Sequence, residues 1–440
     1  MILKIRKLNK VGGEIKAPPS KSYTHRAIII SSFADGESII HDPLISEDTL
    51  SSIGACESFG SKIELINDDS DLKIIATKNI ENSSTEAIDL KNSGTTLRIM
   101  TSMAGLSCNS TVFTGDKSLR TRPMGILMKS GKQLGLNAKS LRGDEKPPIK
   151  VKPGFVGGKT AIDGSVSSQF ISSLLMAGAL SENGLKLEVK GDFISKSYVA
   201  MTLDIMEKFG VNINSDLSTK GHENCNEYEK KCASTFFDLK PQKYISREYT
   251  VEGDYSSASY PLSAVAINGG EIKVKNLFKE SKQGDKIIIN ILNQMGCEVS
   301  IFEDYVILKS NGMLRGVDVN LYNSPDLLPT VAVLGAMAEG TTKITGVRHA
   351  RFKETDRIAK CSAELKKLGC HVNEFHDGME VIGGINSGTV TSHGDHRIAM
   401  AFSLLNLKHE VAIENGDVFS VSFPNFLEVM AEIGLDFELI

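Results

Sequence analysis

"SVSSQFISSLLMAGALSENGLKLEVKG", residues 165–191, carries the grammar of the whole chain. A polar mouth opens into an almost wholly apolar body, which turns at Gly184 into an alternating, β-like run. A helix apolar on every side is an interior helix, and alternation with period 2 marks a strand with one buried face. The same order returns in SKSYTHRAIIISSFADG from 20, NSGTTLRIMTSMAGL from 92, DYSSASYPLSAVAINGG from 254, SPDLLPTVAVLGAMAEG from 324 and GDHRIAMAFSLLNL from 394. The mouths lie about 70 to 75 residues apart, with one wider gap after the third, and such a period signals an internally repeated architecture.

Between the mouths lie β-like segments such as EIKVKNL, YVILK and TKITGV, together with second, amphipathic helices. In KETDRIAKCSAELKKLG, Ile358, Leu365 and Leu368 recur near helical spacing and Gly369 suits the end. YVAMTLDIMEKFG and DKIIINILNQMG have the same shape. Each unit reads as strand-helix-strand-helix-strand-strand, six times over. A chain of 440 residues exceeds one ordinary core, so three units in each of two similar α/β domains are expected. The wide gap holds HENCNEYEKKCASTFFDLKPQK, a charged, poorly patterned stretch that reads as an insertion near a domain boundary.

Hydrophobic residues at 41% and charged residues at 24% place the chain among globular proteins. A net charge of -4 argues against a dedicated nucleic-acid binder, though not against a local basic pocket. Seven scattered cysteines without C-x-x-C spacing argue against a disulfide framework and for a reducing cytoplasm. Cys225, Cys232 and His222 lie close together but are disfavoured as a zinc site by their spacing. No apolar run reaches the roughly 18 residues of a membrane span, and MILKIRKLNKVGGEIKA alternates like a strand, with no signal-peptide core.

The helix mouths carry the chemistry. Free backbone N–H groups at a helix start form an anion site, and Ser, Thr and Gly let an anion approach. Arg26, Arg98, Arg357 and Arg397 stand in or near such first turns, with Lys21 and Lys353 just upstream. A cation placed against the dipole costs a few tenths of a kcal/mol, up to about 1. Taken singly, these residues read as ordinary caps and surface ion pairs. Recurring, and joined by the basic loop LRTRP at 119–123, they point to phosphate or carboxylate ligands gripped by arginine. Two acids interrupt the set. Asp326 and Glu354 suit proton transfer, yet Asp326 is also a respectable first-turn residue and Glu354 a partner for Lys353 or Arg357.

PSKSYTHRA, NSGTTLR, GDKSLRTRPM, SSQFISSLLMA, EGDYSSASY, SPDLLPT, RFKETDRI and GDHRIAMAF together resemble the 5-enolpyruvylshikimate-3-phosphate synthase family, also called 3-phosphoshikimate 1-carboxyvinyltransferases. The resemblance runs from about residue 10 to 430, in the family's order. It implies an α/β fold of two domains, each of three βαβαββ repeats, in the enolpyruvyl transferase inside-out barrel, with the active site in the inter-domain cleft. The implied domains are 18–250, and 1–17 with 251–440. The implied reaction moves the enolpyruvyl group of phosphoenolpyruvate to the 5-hydroxyl of shikimate 3-phosphate and releases phosphate, in aromatic amino acid biosynthesis. No metal or organic cofactor, nucleic acid or membrane is implied, and a cytoplasmic monomer is expected.

Carried over by motif, the shikimate-phosphate contacts are Lys21, Ser22, Arg26, Ser167, Ser168, Gln169, Ser195, Tyr198, Asp326 and Lys353. Those to phosphoenolpyruvate are Lys21, Asn92, Gly94, Thr95, Arg122, Arg357 and Arg397. Acid-base roles fall on Lys21, Asp326 and Glu354. Gly94 matches the glyphosate-sensitive form of its motif. Three positions depart from the family: Val421 where Lys is frequent, His349 where Asn is, and Ser197 where Pro is. The sister family, UDP-N-acetylglucosamine enolpyruvyl transferase, carries a reactive Cys before the LRTRP-like loop, where this chain has Gly115-Asp116-Lys117-Ser118. A non-catalytic phosphoanion or RNA-end binder predicts basic surface and no placed acids, against the charge of -4 and the pair Asp326 and Glu354.

Overall fold

The computed structural model describes residues 1–8, 10–68, 70–78, 80, 87–217 and 234–440. These residues separate into two compact units, Ser20–Val251, and Met1–Pro19 with Glu252–Ile440. Each unit is α/β and holds three four-stranded sheets.

In Ser20–Val251 the helices are α1 (Lys21–Ser32), α2 (Glu47–Ser58), α3 (Gly94–Ala104), α4 (Gly125–Lys132), α5 (Ser168–Leu180) and α6 (Lys196–Lys208). The last repeat shows the pattern. Gly158–Asp163 pairs in parallel with Leu185–Lys190, and α5 makes the crossover that a parallel pair needs. Leu185–Lys190 then pairs antiparallel with Thr235–Leu239, which pairs antiparallel with Asn214–Ser215. The sheets of the other two repeats have the same order of one parallel and two antiparallel neighbours. Thr235–Leu239 corrects the sequence reading of that region as insertion, because Phe237 and Leu239 enter the core while Phe236 faces out. Cys225, Cys232 and His222 lie outside the described residues.

Burial explains which helices are interior. In α5 only Gln169 and Leu180 escape burial, so its hydroxyls must find partners inside. Ser172 meets Thr202 Oγ1 at 2.7 Å, and Ser173 donates to Ser102 Oγ at 2.6 Å. Helices α1 and α3 are buried in the same way, whereas α2 and α4 bury one side.

The other unit repeats the scheme with α7 (Tyr255–Asn268), α8 (Ile288–Gln294), α9 (Leu328–Ala336), α10 (Arg357–Lys367), α11 (His396–Ser403) and α12 (Phe426–Glu432). Every residue of α9 and α11 is buried. Helix α10 buries one stripe, including Ile358, Cys361 and Leu365, and ends before Gly369, whose φ of +83° favours glycine.

The N-terminal residues do not form a repeat of their own. Ile2–Leu8 lies between Val411–Glu414 and Leu435–Leu439 and completes the last sheet. Gly13–Lys16 leads into α1 yet pairs in parallel with Gly270–Lys275. Conversely, Glu248–Thr250 leads into α7 yet pairs in parallel with Glu37–His41. The chain thus passes twice between the units, and each passage leaves one edge strand behind.

Candidate active site

In Ser20–Val251, most of the residues expected at the site stand at or beside the N-terminal ends of helices α1, α3, α5 and α6. Lys21, at the start of α1, donates to Asp48 Oδ2 at 2.8 Å, and both side chains are mostly buried. Arg26 lies one turn deeper and is 1% exposed. Its Nε donates to Thr202 Oγ1 at 2.8 Å, Nη1 to the Ser22 carbonyl at 2.8 Å and Nη2 to the Tyr198 carbonyl at 3.1 Å. Burial pushes this guanidinium down to about 10, against the opposing pull of Tyr23 and Tyr198. It is a buried cation held by neutral oxygens, and such a charge raises affinity for any anion that reaches it.

The α3 mouth is built from two segments. Arg122 Nη2 donates to Asn92 Oδ1, and Asn92 Nδ2 donates to Asp116 Oδ2 at 2.7 Å. Arg122 rests against Gly94 so closely that a Cβ there would stand 2.5 Å from its Nη1. Arg98, one of the first-turn arginines but assigned to neither substrate, donates to Gln169 Oε1 and lies 5.2 Å from the centroid of Phe170. Gln169 Nε2 donates to Thr95 Oγ1 at 2.9 Å, so Thr95 and Gln169 lie together. Ser167 caps α5 by accepting from the Gln169 amide, with Ser168 next along. Ser195 caps α6 from a left-handed conformation, φ 53° and ψ 42°, and Tyr198 lies in the first turn of that helix.

In the other unit the acids and cations form one cluster. Arg357, 1% exposed, donates from Nη1 to Asp326 Oδ1 at 2.6 Å and from Nη2 to Glu354 Oε2 at 2.7 Å. Its Nε meets Asp395 Oδ2 at 2.8 Å. Burial alone would depress this guanidinium, but Asp395, Glu354 and Asp326 hold it well above its usual value. Asp326 also meets Arg397 at 3.2 Å and Lys353 at 3.5 Å. Burial draws the Lys353 ammonium down against the pull of Asp326. Arg351 steadies the turn that bears Lys353 and Glu354, bonding Asp356 at 2.9 Å and the His376 carbonyl at 2.9 Å. A carboxylate or phosphate reaching Arg357 competes with Asp326 and Glu354 for the same N–H groups.

One expectation needs correction. The six mouths are not alike, because the starts of α1, α3 and α5 are flanked by Ser20, Ser93 and Ser167, whereas Asp254 and Asp395 cap α7 and α11. Asp326 stands in the turn that opens α9. In this second set a carboxylate occupies the helix start, beside the N–H groups that would otherwise face an anion. His349 is 4% exposed, and burial, with Lys353 and Arg348, pushes it down to about 3 against Asp326. It adds no titration near neutral pH. Asp48, Asp395 and Asp285 carried no sequence assignment. Asp285 accepts from Ser256 Oγ, and burial with the nearby Asp326 pushes it up to about 7. Asp395 sits inside GDHR and was open to a cap reading, whereas Asp48 and Asp285 lie in stretches without a distinguishing pattern.

The chain thus has six four-stranded sheets, with serine-flanked helix starts in one unit and arginine-bound acids in the other. The family described as EPSP synthase (3-phosphoshikimate 1-carboxyvinyltransferase) matches residues 5–430. A 3-phosphoshikimate 1-carboxyvinyltransferase of Methanobrevibacter smithii is 57% identical over 100% of both chains. That of Methanothermobacter thermautotrophicus is 52% identical over 99% of each. The solved EPSP synthase of Acinetobacter baumannii superposes with a TM-score of 0.80 at 25% identity, over 99% of each chain. The chain belongs to the EPSP synthase family, and its reaction is enolpyruvyl transfer from phosphoenolpyruvate to the 5-hydroxyl of shikimate 3-phosphate. Among the described residues no helix is long and apolar enough to cross a membrane.

Proposed function

We propose that the two constellations serve this one reaction with a division of labour. The serine-flanked mouths, with Lys21, Ser22, Arg26, Ser167, Ser168, Gln169, Ser195 and Tyr198, take shikimate 3-phosphate, joined by Asp326 and Lys353. Asn92, Gly94, Thr95, Arg122, Arg357 and Arg397, again with Lys21, take phosphoenolpyruvate. The observation that carries the reading is Asp326 and Glu354 held by one buried arginine, Arg357. An anionic substrate that claims Arg357 frees acids beside the reacting carbons.

The chemistry then runs in two halves. Protonation of the methylene carbon makes C2 of phosphoenolpyruvate electrophilic, and Asp326 takes the proton of the attacking 5-hydroxyl. The tetrahedral ketal phosphate loses phosphate as the methyl group returns its proton. Lys21 and Glu354 handle these carbon-bound protons, and the cations offset repulsion between two polyanions. General acid-base groups contribute about 10²–10⁴-fold. Lys21→Ala and Asp326→Ala should lower kcat within that range with the circular dichroism spectrum unchanged. Phosphate release from phosphoenolpyruvate should require shikimate 3-phosphate, and release without it, or full kcat in Lys21→Ala, would overturn the assignment. Gly94 supports competitive inhibition by glyphosate against phosphoenolpyruvate. The free thiols of Cys56, Cys108, Cys297, Cys361 and Cys370 support a cytoplasmic setting, and family precedent supports a monomer.

A further inference from the structure

Lys21 and His25 stand one turn apart on α1, and Asp48 and Ser52 stand one turn apart on α2. Lys21 meets Asp48 at 2.8 Å, and His25 Nδ1 meets Ser52 Oγ at 2.8 Å. The second rung continues. Ser52 Oγ meets Thr96 Oγ1 at 2.7 Å, and Thr96 Oγ1 meets Ser93 Oγ at 2.7 Å. Ser93 is the N-cap of α3 and lies between Asn92 and Gly94. An unbroken side-chain relay thus runs from His25, one turn inside α1, across α2, to the mouth of α3.

All four relay residues, His25, Ser52, Thr96 and Ser93, are fully buried. Burial pushes the His25 imidazole down to about 4, so it is neutral and one ring nitrogen carries the proton. Its Nε2 has no hydrogen-bond partner among the described residues, so the relay is the only hydrogen-bonding outlet of the ring. Buried hydrogen bonds in series are directional, and each hydroxyl must pass its polarity to the next. Such a chain is intolerant of altered spacing between helices.

We propose that Ser52 and Thr96 are positioning residues for phosphoenolpyruvate: the relay from His25 to Ser93 holds the Asn92–Thr95 mouth in its binding geometry. The proposal rests on the reading that Lys21, Asn92, Gly94, Thr95 and Arg122 hold phosphoenolpyruvate. Neither Ser52 nor Thr96 contacts substrate under it. Their loss should therefore weaken binding evenly in ground and transition states, which moves KM and leaves kcat alone.

The test is steady-state kinetics on the full chain with Ser52→Ala, Thr96→Val and the double variant. Each single change should raise KM for phosphoenolpyruvate about tenfold, as one lost buried hydrogen bond does. Under this proposal kcat and KM for shikimate 3-phosphate stay within about twofold. The double variant should be no worse than either single, since one break opens the relay, and Ser52→Thr, which keeps the hydroxyl, should restore KM. Unchanged KM in the single variants, whatever happens to Tm, or fully additive effects, would overturn the proposal. If Ser52→Ala fails to fold, the near-isosteric Thr96→Val decides the matter by the same criteria. Asn92→Ala and Arg122→Ala separate the two layers. Should they raise KM while the relay variants do not, the positioning role alone fails. Should they leave KM unmoved, the phosphoenolpyruvate assignment fails and takes the relay's role with it.

Discussion

Gly94 has no side chain because the guanidinium of Arg122 occupies the space. Gly94→Ala would set a methyl group 2.5 Å from Arg122 Nη1, and the far end of that arginine is the only part able to move. Displacement breaks its bond to Asn92 and misaligns two groups assigned to one substrate. KM for phosphoenolpyruvate should rise about tenfold or more, by the cost of a misplaced charge-assisted bond, while thermal stability changes little. An unchanged KM in Gly94→Ala would show that Arg122 does not bind this substrate. The need for glycine was legible in NSGTT, but the identity of the intruding atom was not, because Arg122 arrives from a loop about 30 residues further along. The same holds for the cations at large. The sequence displayed Arg26 and Arg357 as equals, whereas folding gives one neutral oxygens and the other three carboxylates.

At the scale of elements, the interior helices and their following strands were readable because an all-apolar body and a period of 2 depend on local sequence alone. Thr235–Leu239 was missed since its five residues follow a charged stretch, and only pairing with Leu185–Lys190 reveals its register. The short turn Arg348–Phe352 offers a measurable consequence of burial at this scale. It encloses His349 and lowers its folded pKa to about 3, mainly by burial, from an unfolded value near 6.5. A depressed folded pKa means that the contribution is complete above about pH 6.5 and drains away as pH falls towards 3. At pH 4.5 the loss is on the order of 3 kcal/mol. His349→Asn should therefore flatten the fall of Tm between pH 6.5 and 4.5 relative to the parent. Parallel Tm curves for the two proteins would refute a buried, neutral His349.

At the scale of the molecule, the two chain passages make the units unequal in autonomy. Residues 20–251 contain every strand of their three sheets, including Glu248–Thr250 on Glu37–His41. Residues 252–440 lack Ile2–Leu8, which is the third strand of its sheet with neighbours on both sides, and Gly13–Lys16, the edge of another. Leu3, Val11 and Ile15 are buried in that core at 0%, 1% and 3% exposure. Burying each such side chain stabilises by about 1.5–3 kcal/mol, so their joint loss rivals the roughly 5–15 kcal/mol that keeps a domain folded. Leaving two strand edges of the last sheet unpaired adds to the cost. Expressed alone, residues 20–251 should unfold cooperatively in urea, and residues 252–440 should not. Adding a synthetic peptide of residues 1–19 should restore a cooperative transition to 252–440, with a midpoint that rises with peptide concentration. A cooperative, peptide-independent transition in 252–440 alone would mean that the N-terminal strands decorate that unit rather than complete it.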